Sequence, residues 1–131
     1  MLFDSVKGLT TNNLEGKVMP RKYTFFVHMN ATAAWLSLSR EERNRYFTET
    51  IGDIFARYPD VSVRLFDCEA FTTRCSDIAV YETENLQNYY FLIEALRDSQ
   101  IFTVPYFEVV DIFPALENGF KEYEASLVLK A

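Results

Sequence analysis

From Lys22 to Asn30 (KYTFFVHMN) the chain is aromatic and β-branched without a breaker. Alternation sorts Tyr23, Phe25, Val27 and Met29 onto one face and Thr24, Phe26, His28 and Asn30 onto the other. This predicts a first strand with one wholly apolar face and one that mixes rings with groups able to do chemistry. At Ser39 the period changes. Glu42 stands three residues on, the spacing of a capping box, in which the hydroxyl and carboxylate satisfy free amides at a helix start. Phe47, Ile51, Ile54, Phe55 and Tyr58 then recur at helical spacing until Pro59. The opposite face carries Arg43, Glu49 and Arg57 and is expected to be wet.

Val61 to Ala70 alternates again, and CSDIAVYET (75–83) answers it across a polar loop around Thr72 and Thr73, which predicts a hairpin. Asn85 to Asp98 returns to helical spacing through Leu86, Tyr89 or Tyr90, Ile93 and Leu96, with Thr83 or Asn85 as the cap. Pro105 ends the next loop. Tyr106 to Phe113 predicts a fourth strand, followed by Pro114 and a polar tail around Asn118 and Gly119. Residues 1–20 carry Gly8, Gly16 and a polar run with weak periodicity, and read as an N-terminal extension to a single domain over 21–131. Met19, before Pro20, could equally be a second start.

The order β-α-β-β-α-β is the split arrangement of ferredoxin-like α+β folds. Two helices cover only one face of a four-stranded sheet. Alternation gives the uncovered face Phe26, Phe66, Val110 and Ile112 among Arg64, His28 and Asn30, too apolar for water. Two protomers are therefore expected to close their sheets face to face as a homodimeric α+β barrel. A slip of one residue would exchange the faces as a set.

The length, 131 residues, suits one domain, and 49% apolar residues, with twelve Phe, eight Tyr and one Trp, suit a core built largely from rings. A net charge of −6 leaves counterion release little to work with, which argues against a nucleic-acid partner or an anionic membrane surface. No run approaches the roughly 18 apolar residues of a spanning helix. The opening residues lack a signal-like pattern, so the expected location is cytoplasmic. Cys68 and Cys75 flank the hairpin loop and are expected to be free thiols in a reducing compartment; with one histidine they make no zinc site. The loops that cradle nucleotides, the serine-hydrolase elbow and the zinc-peptidase helix are all absent.

At NATAAWLSLSREERNRYF, RCSDIAVYET, YYFLIEALRDS and PYFEVVDIFPALENGFKEYE the chain resembles the darcynin family, small bacterial proteins of largely uncharacterised role. The likeness runs from about residue 22 to 124. It implies a compact domain related to dimeric α+β barrels and assigns no catalytic residue. The wider barrel group includes cofactor-free monooxygenases, muconolactone-isomerase-like proteins, stress-responsive proteins and haem-dependent chlorite dismutases, and fold analogy alone transfers none of these functions. The haem branch needs an axial ligand on a helix, whereas His28 lies on a strand. No cofactor is expected.

Histidine is the residue type whose unperturbed pKa lies nearest neutrality, which makes His28 the natural general acid or base, with Asn30 on the same strand face. A hydrogen-bonded core or interface histidine fits the same residue. Asp77 can orient His28 or pair with Arg64, which in turn can anchor an anionic substrate or form an ordinary salt bridge. Asn30 and Trp35 resemble in kind the Asn and Trp that assist cofactor-free oxygenases, although Trp35 packed on a helix is equally natural. Phe26 and Tyr106 can line a pocket or simply fill the core. These residues support a pocket on the inner sheet face, that of a cofactor-free monooxygenase or isomerase acting on a small enolic or aromatic metabolite, against a non-catalytic ligand-binding or accessory protein of the same fold.

Overall fold

The computed structural model of the chain describes residues 21–130; the expected extension over 1–20 lies outside them. Strand β1 (Tyr23–Ala31) leads into a short helix α1 (Ala33–Leu36). Thr32 caps α1 by accepting from the Trp35 amide at 3.3 Å, while its hydroxyl donates to the Pro105 carbonyl at 2.7 Å. Helix α2 (Arg40–Tyr46), a π-helical turn over Phe47–Ile51 and helix α3 (Gly52–Ala56) then follow without a break. The expected capping box is present. Ser39 N donates to Glu42 at 2.8 Å and Glu42 N to the Ser39 hydroxyl at 3.0 Å, and the Ser39 backbone bond, then its hydroxyl, hold the Glu42 pKa below its ordinary value.

The hairpin is formed by β2 (Ser62–Asp67) and β3 (Asp77–Thr83), each shorter than the alternation suggested. Helix α4 (Leu86–Arg97) starts on Asn85, whose side chain accepts from the Asn88 amide at 3.1 Å. A further short helix, α5 (Gln100–Thr103), precedes β4 (Phe107–Leu116). The polar tail expected after Pro114 is instead the end of β4 followed by helix α6 (Gly119–Lys130). Proline is tolerated because β4 is an edge strand, where a missing amide costs no ladder bond. Asn118 enters α6 with φ +52, a left-handed conformation that asparagine adopts readily. The Arg21 guanidinium pairs with Glu122 of α6.

All strand pairs are antiparallel, in the order β2-β3-β1-β4. The α+β sandwich thus has the expected ferredoxin-like order. Its core lies between the sheet and the helices, where Val27, Ala79 and Tyr81 meet Ile51, Ile54, Leu92 and Leu96. Thr83, buried at the end of β3, donates to the Asp60 carbonyl at 3.1 Å and accepts from the Asn85 amide at 2.9 Å, so its hydroxyl is satisfied. A bulge changes β4. Met29 pairs with Val109 but His28 with Asp111, so Val110 is an extra residue. Beyond it Ile112 stands opposite Val27 on the helix side, while Asp111 and Phe113 join His28 and Phe26 on the uncovered face. Phe113 therefore replaces the expected Ile112 there.

Candidate functional site

The sheet divides the candidate residues into two groups. On the uncovered face one row across the strands reads Phe66, Ile78, His28, Asp111, and the next reads Arg64, Val80, Phe26, Phe113. The His28 ring meets Phe113 edge-on at 5.1 Å, and the Arg64 guanidinium lies 5.1 Å above the Phe66 ring, within cation–π range. Asn30 completes the group opposite Glu108. Phe26, Phe66 and Phe113 remain 37%, 43% and 49% exposed, which makes this face a wide apolar patch edged by charge.

Trp35, Tyr106 and Asp77 lie on the other side. Trp35 is buried, with Tyr106 and Phe107 at 5.3 and 5.2 Å. Asp77 pairs with Met29 and shares its helix-side parity, so it neither orients His28 nor pairs with Arg64. For the same reason Asn30 and Trp35 do not meet: the thickness of the sheet separates them. His28, Asn30, Arg64 and Phe26 form one group, and Trp35, Tyr106 and Asp77 belong to another.

A cavity of about 210 Å³ lies between the sheet and the helices, on the opposite side of the sheet from the face expected to carry the pocket. Trp35, Phe47, Phe55, Tyr81, Phe102 and Phe107 supply rings to its wall, with aliphatic side chains between them. Asp67 and Asp77 bring carboxylates to this lining and are register partners across the β2–β3 ladder. Burial, and the facing Asp67 carboxylate, push the Asp77 pKa up, although the Ser76 hydroxyl donates to Asp77 at 2.6 Å and favours the charged form. Burial also raises the Tyr81 hydroxyl, which stays protonated. The arrangement is an apolar slot with an acid pair at one side, able to hold a cation or to share a proton. Asp67 and Leu65 were not among the sequence candidates; the readable signal was an acid on the core-facing parity of each hairpin strand.

Glu69 joins the two aspartates, all three placing carboxylate oxygens within 4.8 Å of one another. Asp67 and Glu69 are exposed, and exposed acidic clusters of this kind are common without an ion.

The α+β fold is similar to that of chlorite dismutase-like proteins. A chlorite dismutase variant from Candidatus Nitrospira defluvii superposes with TM-score 0.63 at 10% identity, over 77% of this chain and 42% of that one. A novel heme-binding protein from Thermus thermophilus gives 0.66 at 16%, over 87% and 46%. A dimeric chlorite dismutase from Nitrobacter winogradskyi gives 0.59 at 18%, over 75% and 59%. The chain spans less than half the length of the first two, and identities this low show the fold alone. The chain belongs to the darcynin family, described as a domain of unknown function, whose pattern matches residues 10–129. Darcynin 1 of Acinetobacter baumannii is 53% identical over 90 residues, 69% of this chain and all of that protein, and the Darcynin of Chromobacterium violaceum is 60% identical over 74 residues, 56% and 94% respectively.

The donor set does not fit a haem. No histidine or cysteine lines the cavity, and His28 projects from the opposite face of the sheet. Tyr81, the lining phenol, is held protonated by burial. Among the described residues no helix is long and apolar enough to cross a membrane.

Proposed function

We propose that this darcynin domain is a small-molecule binding protein whose site is the cavity between sheet and helices. The observation that carries this reading is the ring-lined slot with Asp67 and Asp77 on its wall. Its volume suits one ring with a short substituent, and the acid pair selects a substituent that is cationic or donates hydrogen bonds. Aromatic faces add attraction for a cation. Benzylammonium, benzamide and benzoate share a ring and differ in charge, so their effects on thermal unfolding test the selection. Benzylammonium should raise the midpoint most and benzoate not at all, and the Asp67→Asn/Asp77→Asn double variant should lose the difference. Equal binding of benzoate, or no binding by any of the three, sinks the reading.

A second reading, proton-transfer isomerisation of a small enolisable molecule, rests on the same pair. The Asp77 carboxyl, whose pKa is raised, stands opposite a second carboxyl, so two groups able to exchange a proton with a bound molecule share one site. Exchange of the α-hydrogens of a neutral aryl ketone in heavy water is the test. Rates equal in wild type and Asp77→Asn would dismiss it.

The uncovered face supports homodimerisation. It exposes three phenylalanines, and it carries Arg64 on one edge strand and Asp111 on the other, so a two-fold related copy can bring opposite charges together around an apolar centre. The two free thiols suit a reducing, cytoplasmic setting.

A further inference from the structure

Cys68 and Cys75 bracket the loop between β2 and β3. The Cys68 amide donates to the Ser76 carbonyl at 2.9 Å, which extends the hairpin ladder past Asp67 and Asp77 and fixes the two backbones side by side. Their sulfurs lie 3.5 Å apart in hydrogen-bond contact, and the Cys68 thiol also donates to the Cys75 carbonyl at 3.3 Å. Closing that gap to the roughly 2.05 Å of an S–S bond needs side-chain rotation about backbones already adjacent. Access is unequal: Cys75 is buried, at 5% exposure, whereas Cys68 is half-buried and reachable.

We infer that Cys68 and Cys75 form a dithiol–disulfide redox site that reacts with low-molecular-weight disulfides of the glutathione type, with Cys68 as the entry thiol and Cys75 as the resolving one. Cys68 loses its proton to solvent and attacks one sulfur of RSSR. The RS–SR bond breaks, one RS⁻ leaves and is protonated, and a mixed disulfide remains on Cys68. Cys75 then loses its proton and attacks the Cys68 sulfur, expelling the second RS⁻ as RSH. In balance, two protein thiols are oxidised to one disulfide and RSSR is reduced to two RSH.

The surroundings set the pace. Burial, then Cys75, Asp77 and Glu69, raise the Cys68 pKa to about 11, so little thiolate is present at neutral pH and exchange is slow. Asp67 precedes Cys68 in the chain, and Ser76, bonded to Asp77, follows Cys75. The oxidised loop therefore clasps the two strands beside the acid pair.

The test uses the full chain, incubated with oxidised glutathione, quenched by alkylation and weighed by mass spectrometry. The expected product is a monomer that has lost two hydrogens, with Cys68 and Cys75 linked in its peptide map. Cys75→Ser should stop at the glutathione adduct of Cys68, and Cys68→Ser should react roughly ten-fold more slowly, because its remaining thiol is buried. A stable glutathione adduct on the wild-type protein, a Cys68–Cys68 cross-linked dimer, or equal rates in the two variants would overturn the assignment. The wild-type product alone decides whether the loop disulfide forms, so that result depends neither on a variant folding nor on any ligand occupying the cavity.

Discussion

Asp67 and Asp77 face each other as register partners across the β2–β3 ladder, two acids placed where the parity of both strands calls for core residues. Like charges opposed on one sheet face oppose folding, and burial of Asp77 adds to the cost. The protein relieves the conflict by keeping a proton on Asp77 to higher pH than an ordinary aspartate.

That relief has a definite pH signature. A carboxyl with a raised folded pKa binds its proton more tightly in the native state, so its contribution to stability is greatest at low pH. The contribution is lost as pH rises from the ordinary aspartate value, about 3.9, through the raised one. Urea titrations between these limits should show the slope in wild type and a flatter line in Asp77→Asn. At neutral pH that variant should be the more stable, by on the order of 0.5 kcal/mol once solvent screening is allowed for.

Blocking the cavity should separate binding from folding. Leu65 lies half-exposed on the cavity lining, so Leu65→Trp places a ring there without removing a core contact. Benzylammonium affinity should fall about ten-fold or more, equivalent to about 1.4 kcal/mol, while the unliganded melting temperature stays near that of wild type. Calorimetric titration of both proteins reads the two effects separately.

The core itself should respond very differently. Leu92 on α4 is 1% exposed and packs in the sheet–helix core, so Leu92→Ala should cost about 3 kcal/mol through lost transfer energy and the space left behind. Tyr90, two residues away and exposed, should change stability by less than about 0.5 kcal/mol on replacement with alanine. Equilibrium denaturation distinguishes the two directly.

Dimerisation through the uncovered face predicts that Phe66→Glu, or Phe113→Asp, converts a dimer into a folded monomer, because neither ring belongs to the core. Light scattering after size exclusion gives the mass, and circular dichroism confirms the fold. A wild-type monomer at micromolar concentration would remove the proposed seam.

Much of the fold was legible because local signals agreed with one another. The alternation of β1, the capping box at Ser39 and the asparagine cap at Asn85 are short-range effects that tertiary structure had no reason to override. Helix α6 has little signature in the sequence, because Asn118 and Gly119 resemble a loop and the residues after them form only a weak apolar stripe. The end of β4 was hidden by Pro114, whose tolerance depends on the strand lying at an edge, a fact of topology. The bulge at Val110 inverted the parity beyond it, so alternation counted from Tyr106 assigned Ile112 to the wrong face. The cavity was the least legible feature, because its wall joins α1, the helical run after Ser39, α4, α5 and all four strands, and only their packing brings Asp67 and Asp77 beside Trp35.

Strand β4 is also long, exposed and rich in valine, isoleucine and phenylalanine, a composition that invites another chain to add a strand. Its bulge, the charge of Asp111 and the missing amide of Pro114 interrupt that template at three points along its length. Growth from this edge into fibres is thereby discouraged, which leaves the sheet face, with its exposed rings, as the surface on which an association can close on itself.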